Sequence, residues 1–450
     1  MSEHLPISVS LAKLLRRPVS AADRSRARLH LLDWLGCAIA GVAEPGCAEV
    51  RRLAEREGVG RCRIIGGGMA GPQAAALAHG PAGTILEMDD VDKRGLLHPG
   101  PVIMPAVLAV AQDEGIADGN ALLDGIVAGY EAMIRVGRAA GEHRRMFHAT
   151  ATTGTFGAAA AGARLLGMGE EQTSWALGNA GQQASGLWQV RHELVFTKAF
   201  HDGRAAANGV AAALLAHDGY RGPQYVFEGP EGFFPAMCPG GDPAQILVDP
   251  ESNWRIHEVS FKPHAACRHA HPAIDAVLAT RTQVGDREIR EIAIRTYRDA
   301  LIYCKNDEPR TPGEAKFSLP HTAAVAMIHG DADLARFTPE TIADPAVTAL
   351  RSKVTYAVDD EMHARFPAHF TAAATVTLMD GTVIQAHIDD ALGDPENPLD
   401  QSAVEAKARS LMAWGGMDDT AASRLIAATL SLGDGATTSD MTAALPEIAA

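Results

Sequence analysis

The chain has 450 residues, 47% hydrophobic and 21% charged, with a net charge of −15. That length allows two or three domains, and so acidic a surface repels nucleic acid phosphates and anionic lipid, so neither is an expected partner. Six scattered cysteines and a polar N-terminus without a basic-then-apolar pattern suggest a reduced, cytoplasmic protein, and no run of ~18 apolar residues predicts a membrane span.

Residues 20 to about 220 carry apolar positions at helical period. The predicted helices are 22–41, 103–112, 121–141, 156–166, 175–187 and 205–218, punctuated by Gly or Pro. The segment 154–167, GTFGAAAAGARLLG, has almost no polar side and reads as a buried helix. Short connections between such helices indicate an all-α bundle. The texture changes near residue 255. The stretch 288–301 alternates like a strand. Residues 371–388 read as a β-hairpin around Asp380-Gly381. Segments 320–330 and 338–355 look helical, 392–400 is a linker, and 403–428 is helical again. The expected organisation is mainly α with an α+β lid. A large all-helical domain (1–255 and 396–450) is interrupted by a smaller α/β domain (256–395).

Titratable residues set among apolar ones are costly unless paired or functional. Five stretches stand out. The first is 84–105, TILEMDDVDKRGLLHPGPVIMP, with Asp89, Asp90 and His98. The second is 141–157, with His148 before a Thr/Gly-rich turn. The third is 188–206, with Arg191, His192, Lys198 and His201. The fourth is 261–275, with Lys262, Cys267, Arg268 and His271. The fifth is 302–318, with Tyr303 and Lys316. Each has a plain alternative. The two aspartates could cap a helix, His148 could be a core histidine, Lys198 and His201 could share one solvated helical turn, and Tyr303 could pack in a strand. His264, Cys267, His269 and His271 have ligand types that zinc accepts. No second ligand pair accompanies them and Arg268 sits in their midst, so no metal is expected.

Taken in order, these stretches resemble the MmgE/PrpD family over nearly the whole chain. DWLGCAIAG (33–41), LEMDD with HPG (86–100), GYEAMIRVG (129–137) and FHATATTGTFGAAAAGARLLGM (147–168) follow its pattern. So do TKAFHDGRAA (197–206), GPQYVFEGPEGFF (222–234), FKPHAACRHAH (261–271) and PRTPGEAKFSL (309–319). The resemblance implies a helical domain with an inserted lid, a homodimer, and a site in the cleft between domains with no metal and no organic cofactor. It implies a small anionic di- or tricarboxylate substrate, losing a proton or carbon dioxide next to a carboxylate. The implied catalytic residues are Asp89 or Asp90, His98, His148, Lys198, Lys262 and Tyr303. Arg268 is a candidate carboxylate clamp, with Arg191 and His201 beside the substrate. Cations there would stabilise developing negative charge, and clustered cations would depress one lysine towards a useful base. The reaction implied first is dehydration by a cofactor-independent lyase. An epimerase or isomerase of a dicarboxylate such as iminodisuccinate, and a decarboxylase of the cis-aconitate type, remain open.

The chain departs from the family pattern at Glu87, at Val91-Asp92, in the loop 191–196, and at His264-Ala265. These departures point to a substrate other than 2-methylcitrate.

Overall fold

A computed structural model describes residues 5–58, 60–141, 146–193 and 195–446. Parts of the 141–157 and 191–196 stretches, namely 142–145 and 194, lie outside the described residues. The chain divides into two compact units. One is Met1–Ile85, Asp89–Val259 and Asp400–Ala450; the other is Leu86–Met88 and Ser260–Leu399.

The principal helices of the first unit begin with α1 (Ala21–Gly41), α2 (Pro72–Thr84), α3 (Gly100–Asp113) and α4 (Gly119–Ala139). They continue with α5 (Ala149–Leu165), α6 (Glu170–Gly181) and α7 (Thr197–His217). Local chemistry starts several of them. Ser20 and Asp23 form a reciprocal capping box on α1, and Asp118 caps α4 through Asn120 N. The core is aliphatic and rich in alanine. Small residues let helix axes approach: α2 and α7 cross where a Cβ on Gly80 would meet Gly203 Cα at 2.3 Å. A short antiparallel ribbon pairs Cys62 with Ala70 and Arg63 with Met69.

The second unit holds α8 (His271–Val284), β1 (Ile289–Thr296), α9 (Arg298–Tyr303) and α10 (Leu319–His329). It then adds β2 (Val354–Val358), β3 (Ala372–Leu378) and β4 (Val383–Ile388). The sheet order is β2-β1-β3-β4, parallel only between β1 and β2. Gly381, at φ +86, supplies the left-handed turn between β3 and β4, and Asp380 accepts from Thr382 N at 2.8 Å. Helix α8 packs on β3 and β4. The chain then returns to the first unit with α11 (Gln401–Trp414) and α12 (Asp419–Leu430), capped by Asp400 and Asp418. Helix α11 lies on α1. No helix among the described residues is long and apolar enough to cross a membrane.

Two expectations fail. The helix read at 175–187 ends at Gly181, a weak helix former, and Gly186 beyond it has a φ of +129 that no helix accommodates. The region 338–355 is not one helix. Two short helical pieces end at Arg351 and a strand begins at Val354, whose partner Ile292 lies in β1.

Candidate active site

In the first unit, Asp89 and Asp90 are adjacent and buried but serve different partners. Asp89 Oδ2 lies 2.7 Å from His98 Nδ1. Asp90 takes His30 Nδ1 at 2.7 Å, the Tyr130 hydroxyl at 2.6 Å and Gly100 N at 2.8 Å. Its backbone carbonyl is 3.1 Å from His98 Nδ1. Both neighbours of that nitrogen are acceptors, so Nδ1 carries the hydrogen and Nε2 presents a lone pair when the ring is neutral. Burial pushes His30 down to about 4, so it meets Asp90 as a neutral donor at pH 7. Burial and the Asp90 charge hold the Tyr130 phenol well above its ordinary value, so it too remains a donor. Behind this layer, Lys407 Nζ lies 2.6 Å from Asp33 Oδ1. Burial nevertheless raises Asp33 to about 6, with the Asp89 and Asp90 charges adding to the shift.

His98 immediately precedes the Pro99 cap of α3, and its backbone N donates to Thr150 Oγ1, in the first turn of α5, at 3.2 Å. His148 is the N-cap of α5. Its ring stacks on Trp188 with centroids 4.3 Å apart and planes 3° apart. Its Nδ1 is 4.0 Å from Asp202 Oδ1 on α7, and its ring centre is 5.5 Å from that of His201. Lys198 stands half-buried in the first turn of α7, one turn before His201, whose pKa burial lowers. Arg191 is exposed on the 3-10 turn Trp188–His192. The N-terminal ends of α3, α5 and α7 thus gather around His98 and His148. The ends of α5 and α7 carry a partial positive charge, which favours an anion; at α3 Gly100 N already serves Asp90 and a proline follows it.

In the second unit, Lys262 is fully buried with Nζ 3.5 Å from Glu87 Oε2. Lys316 Nζ donates to Leu86 O at 2.7 Å. Arg268 turns its guanidinium to Asp394 and to the carbonyl of Leu392 at 3.1 Å. Tyr303, half-buried at the end of α9, stacks on His269 with centroids 4.8 Å apart. His269 Nδ1 in turn meets the Tyr297 hydroxyl at 3.0 Å. Among the described residues three non-glycine residues have positive φ, and two of them, Glu87 (+57) and Leu96 (+53), flank the acidic motif. Such strain persists where the surroundings over-determine the backbone, as functional sites do.

The four residues weighed as zinc ligands do not converge. His264 meets Asp275 at 2.8 Å, His271 Nε2 meets Ala266 O at 3.1 Å, His269 meets Tyr297, and Cys267 shares a hydrogen bond with the Cys304 thiol. The grouping of acids that could hold an ion is Asp390, Asp394 and Glu396 among the described residues, and Arg268 already faces Asp394.

Several partners escape sequence reasoning. His30, Tyr130 and Asp33 come from other helices and belong to no stretch singled out for chemistry, and Thr150 lies inside the 141–157 stretch, where His148 drew attention instead. Asp202 and Trp188 lie inside the 188–206 stretch, where the basic residues drew attention instead.

Residues 11–246 match the MmgE/PrpD N-terminal domain and residues 264–432 the MmgE/PrpD C-terminal domain. The cis-aconitate decarboxylase-like protein oryM of Aspergillus oryzae is 29% identical over 448 residues, 93% of this chain and 92% of its own length. Cis-aconitate decarboxylase of Aspergillus terreus is 26% identical over 418 residues, 86% of this chain and 84% of its own. The 2-methylcitrate dehydratase of Cupriavidus necator is 25% identical over 236 residues, 49% of this chain and 48% of its own.

Proposed function

The chain belongs to the MmgE/PrpD family, and we propose that it is a lyase acting on a small polycarboxylate, with His98 moving the proton next to a substrate carboxylate. The observation that carries this reading is the arrangement around His98. An imidazole fixed by Asp89 stands where the N-termini of α3 and α5 meet. The helix ends and Lys198 attract the carboxylates, and His98 Nε2 accepts the proton. As negative charge builds on the neighbouring carboxylate, preorganised donors stabilise it without rearrangement. In dehydration His148 is the second proton carrier, giving a proton to the departing hydroxyl. His201, kept neutral by burial, is a hydrogen-bonding neighbour. Arg191 stands at the exposed rim. Arg268 already faces Asp394, so we assign the clamp to Lys198. Imidazole, ammonium and helix termini together supply acid, base and charge stabilisation, so the proposed reaction uses neither metal nor organic cofactor.

Decarboxylation is the second reading. It is favoured by the near full-length match to cis-aconitate decarboxylases, against a half-length match to a dehydratase. Proton NMR in D₂O separates the two. Chelator-treated enzyme is mixed with hydroxy and unsaturated polycarboxylates. New vinyl signals with the carbon skeleton intact mean dehydration, and loss of a carboxyl carbon means decarboxylation. Exchange of an α-proton with no elimination would displace both in favour of an epimerase. No reaction with any compound would overturn the lyase reading.

A further inference from the structure

We infer that a cavity on the helical unit binds a small aliphatic α-amino acid as its zwitterion. The cavity has a volume of about 160 Å³ and is lined from α2, α7, the residue after the cap of α6, and Glu57. None of the residues assigned to the proposed reaction lines it, so the inference stands apart from that reading. Its two charges are of opposite sign. Arg204 is exposed on α7, next to the Gly203 crossing, and among the described residues its guanidinium has no hydrogen-bond or ion-pair partner. The Glu57 carboxylate has none either. The two line one cavity without pairing with each other.

The polar groups divide by sign. Glu57 caps the C-terminus of the helix Cys47–Arg56, and Gln183 follows the C-terminal cap of α6. Both helix ends carry partial negative charge, which favours a cation. The amides beside them are oriented. Asn208 Nδ2 donates to Gln183 O at 3.1 Å, and Gln183 Nε2 donates to Asn179 O at 3.2 Å. Both amide nitrogens face backbone carbonyls, so the amide oxygens remain as acceptors. Gln73 stands in the first turn of α2, the positive end of that helix. A carboxylate therefore pairs with Arg204, and an ammonium with Glu57 and the amide oxygens. A plain anion would also meet Glu57, and a plain amine Arg204, so fixed charges that cancel favour a ligand whose charges cancel. An α-amino acid carries both groups on one carbon. Leu77, Ala207 and Ala211 supply an apolar wall for a short aliphatic side chain.

The test uses the full chain and saturation-transfer NMR titrations with probes matched in shape. These are L-valine, 3-methylbutanoate, which lacks the ammonium, and 2-methylpropan-1-amine, which lacks the carboxylate. L-valine binds more tightly than either. Arg204→Ala weakens L-valine binding by ~10-fold or more. Glu57→Gln weakens L-valine and strengthens 3-methylbutanoate, because the charge repelling that anion is gone. A change of shape alone would move both probes the same way. Wild-type binding of 3-methylbutanoate as tight as that of L-valine overturns the inference. So does an L-valine affinity unchanged in Arg204→Ala, which would put the amino acid elsewhere. Failure of glycine, L-alanine and L-valine alike to bind overturns it as well, and leaves the lyase reading intact. If Arg204→Ala does not fold, the opposite shifts in Glu57→Gln decide.

Discussion

Tyr130 donates its phenolic hydrogen to Asp90 across 2.6 Å, and this bond ties the middle of α4 to the turn that carries His98. The acceptor is a carboxylate oxygen and both partners are buried. Tyr130→Phe is expected to lower the unfolding free energy by about 1.5–3 kcal/mol, the range for a hydrogen bond to a charged group. Urea unfolding measures it, and an unchanged midpoint would mean that Asp90 finds another donor.

In the proposed reaction His98 and Asp89 form the pair that moves the proton. His98→Gln is expected to reduce kcat/KM by ~10²–10⁴-fold with an unchanged circular dichroism spectrum. His148→Ala should cost ~10²-fold or more if it is the second proton carrier. Asp89→Asn should cost less than His98→Gln, because the Asp90 carbonyl still faces Nδ1. Full activity in His98→Gln would remove it from the reaction.

The Asp33–Lys407 pair is buried at both ends. Lys407→Met leaves a buried carboxylate without its partner and should cost about 3–5 kcal/mol. Asp33→Asn combined with Lys407→Met should recover most of that loss, since the charge needing compensation is gone. A double variant no more stable than the single one would argue against this account.

Acid lowers the stability of the first unit through its buried imidazoles. His79 accepts from Ile65 N at 2.9 Å, and burial pushes its pKa down to about 4 from 6.5; His30 is shifted alike. Below pH 6.5 the unfolded chain binds protons that the native chain refuses until about pH 4, so stability falls across that window. Asp33, raised to about 6, acts in the opposite sense as the pH falls from 6 to 3.8. Two histidines outweigh one aspartate. Each histidine should contribute a loss of about 2–3 kcal/mol by pH 4.5. The stability gap between wild type and His79→Gln should therefore narrow between pH 7 and pH 4.5. A gap independent of pH would mean that His79 binds its proton equally in the native and unfolded states.

The helices of the first unit were legible because their apolar period runs long, and Gly or Pro marks their ends. Helix α2 was not. Its Ala-rich sequence contains Gly80, Pro81 and Gly83 and has no amphipathic stripe, because it is buried all round. Strand β2 was not either, since what makes Val354–Val358 a strand is its pairing with Ile292–Thr296, far off in the chain. The acidic motif announced itself by composition. Its division of labour did not, because neighbouring aspartates look alike until His30, Tyr130 and Gly100 N claim one of them. Nor does sequence show that Arg268 faces Asp394, or that Glu87 reaches Lys262, since each contact joins segments over 100 residues apart.

The Asp33–Lys407 contact also has a consequence for synthesis. Its partners are 374 positions apart. At 5–20 residues per second, Asp33 leaves the ribosome roughly 20–75 s before the lysine that matches it. Through that interval α1 lacks the surface that α11 covers, and the whole 260–399 unit is translated. The nascent N-terminal helices must wait for the last ones to close their core, so a ribosome stalled within 260–399 would leave a chain that exposes Asp33 and the apolar flank of α1 to chaperones and proteases.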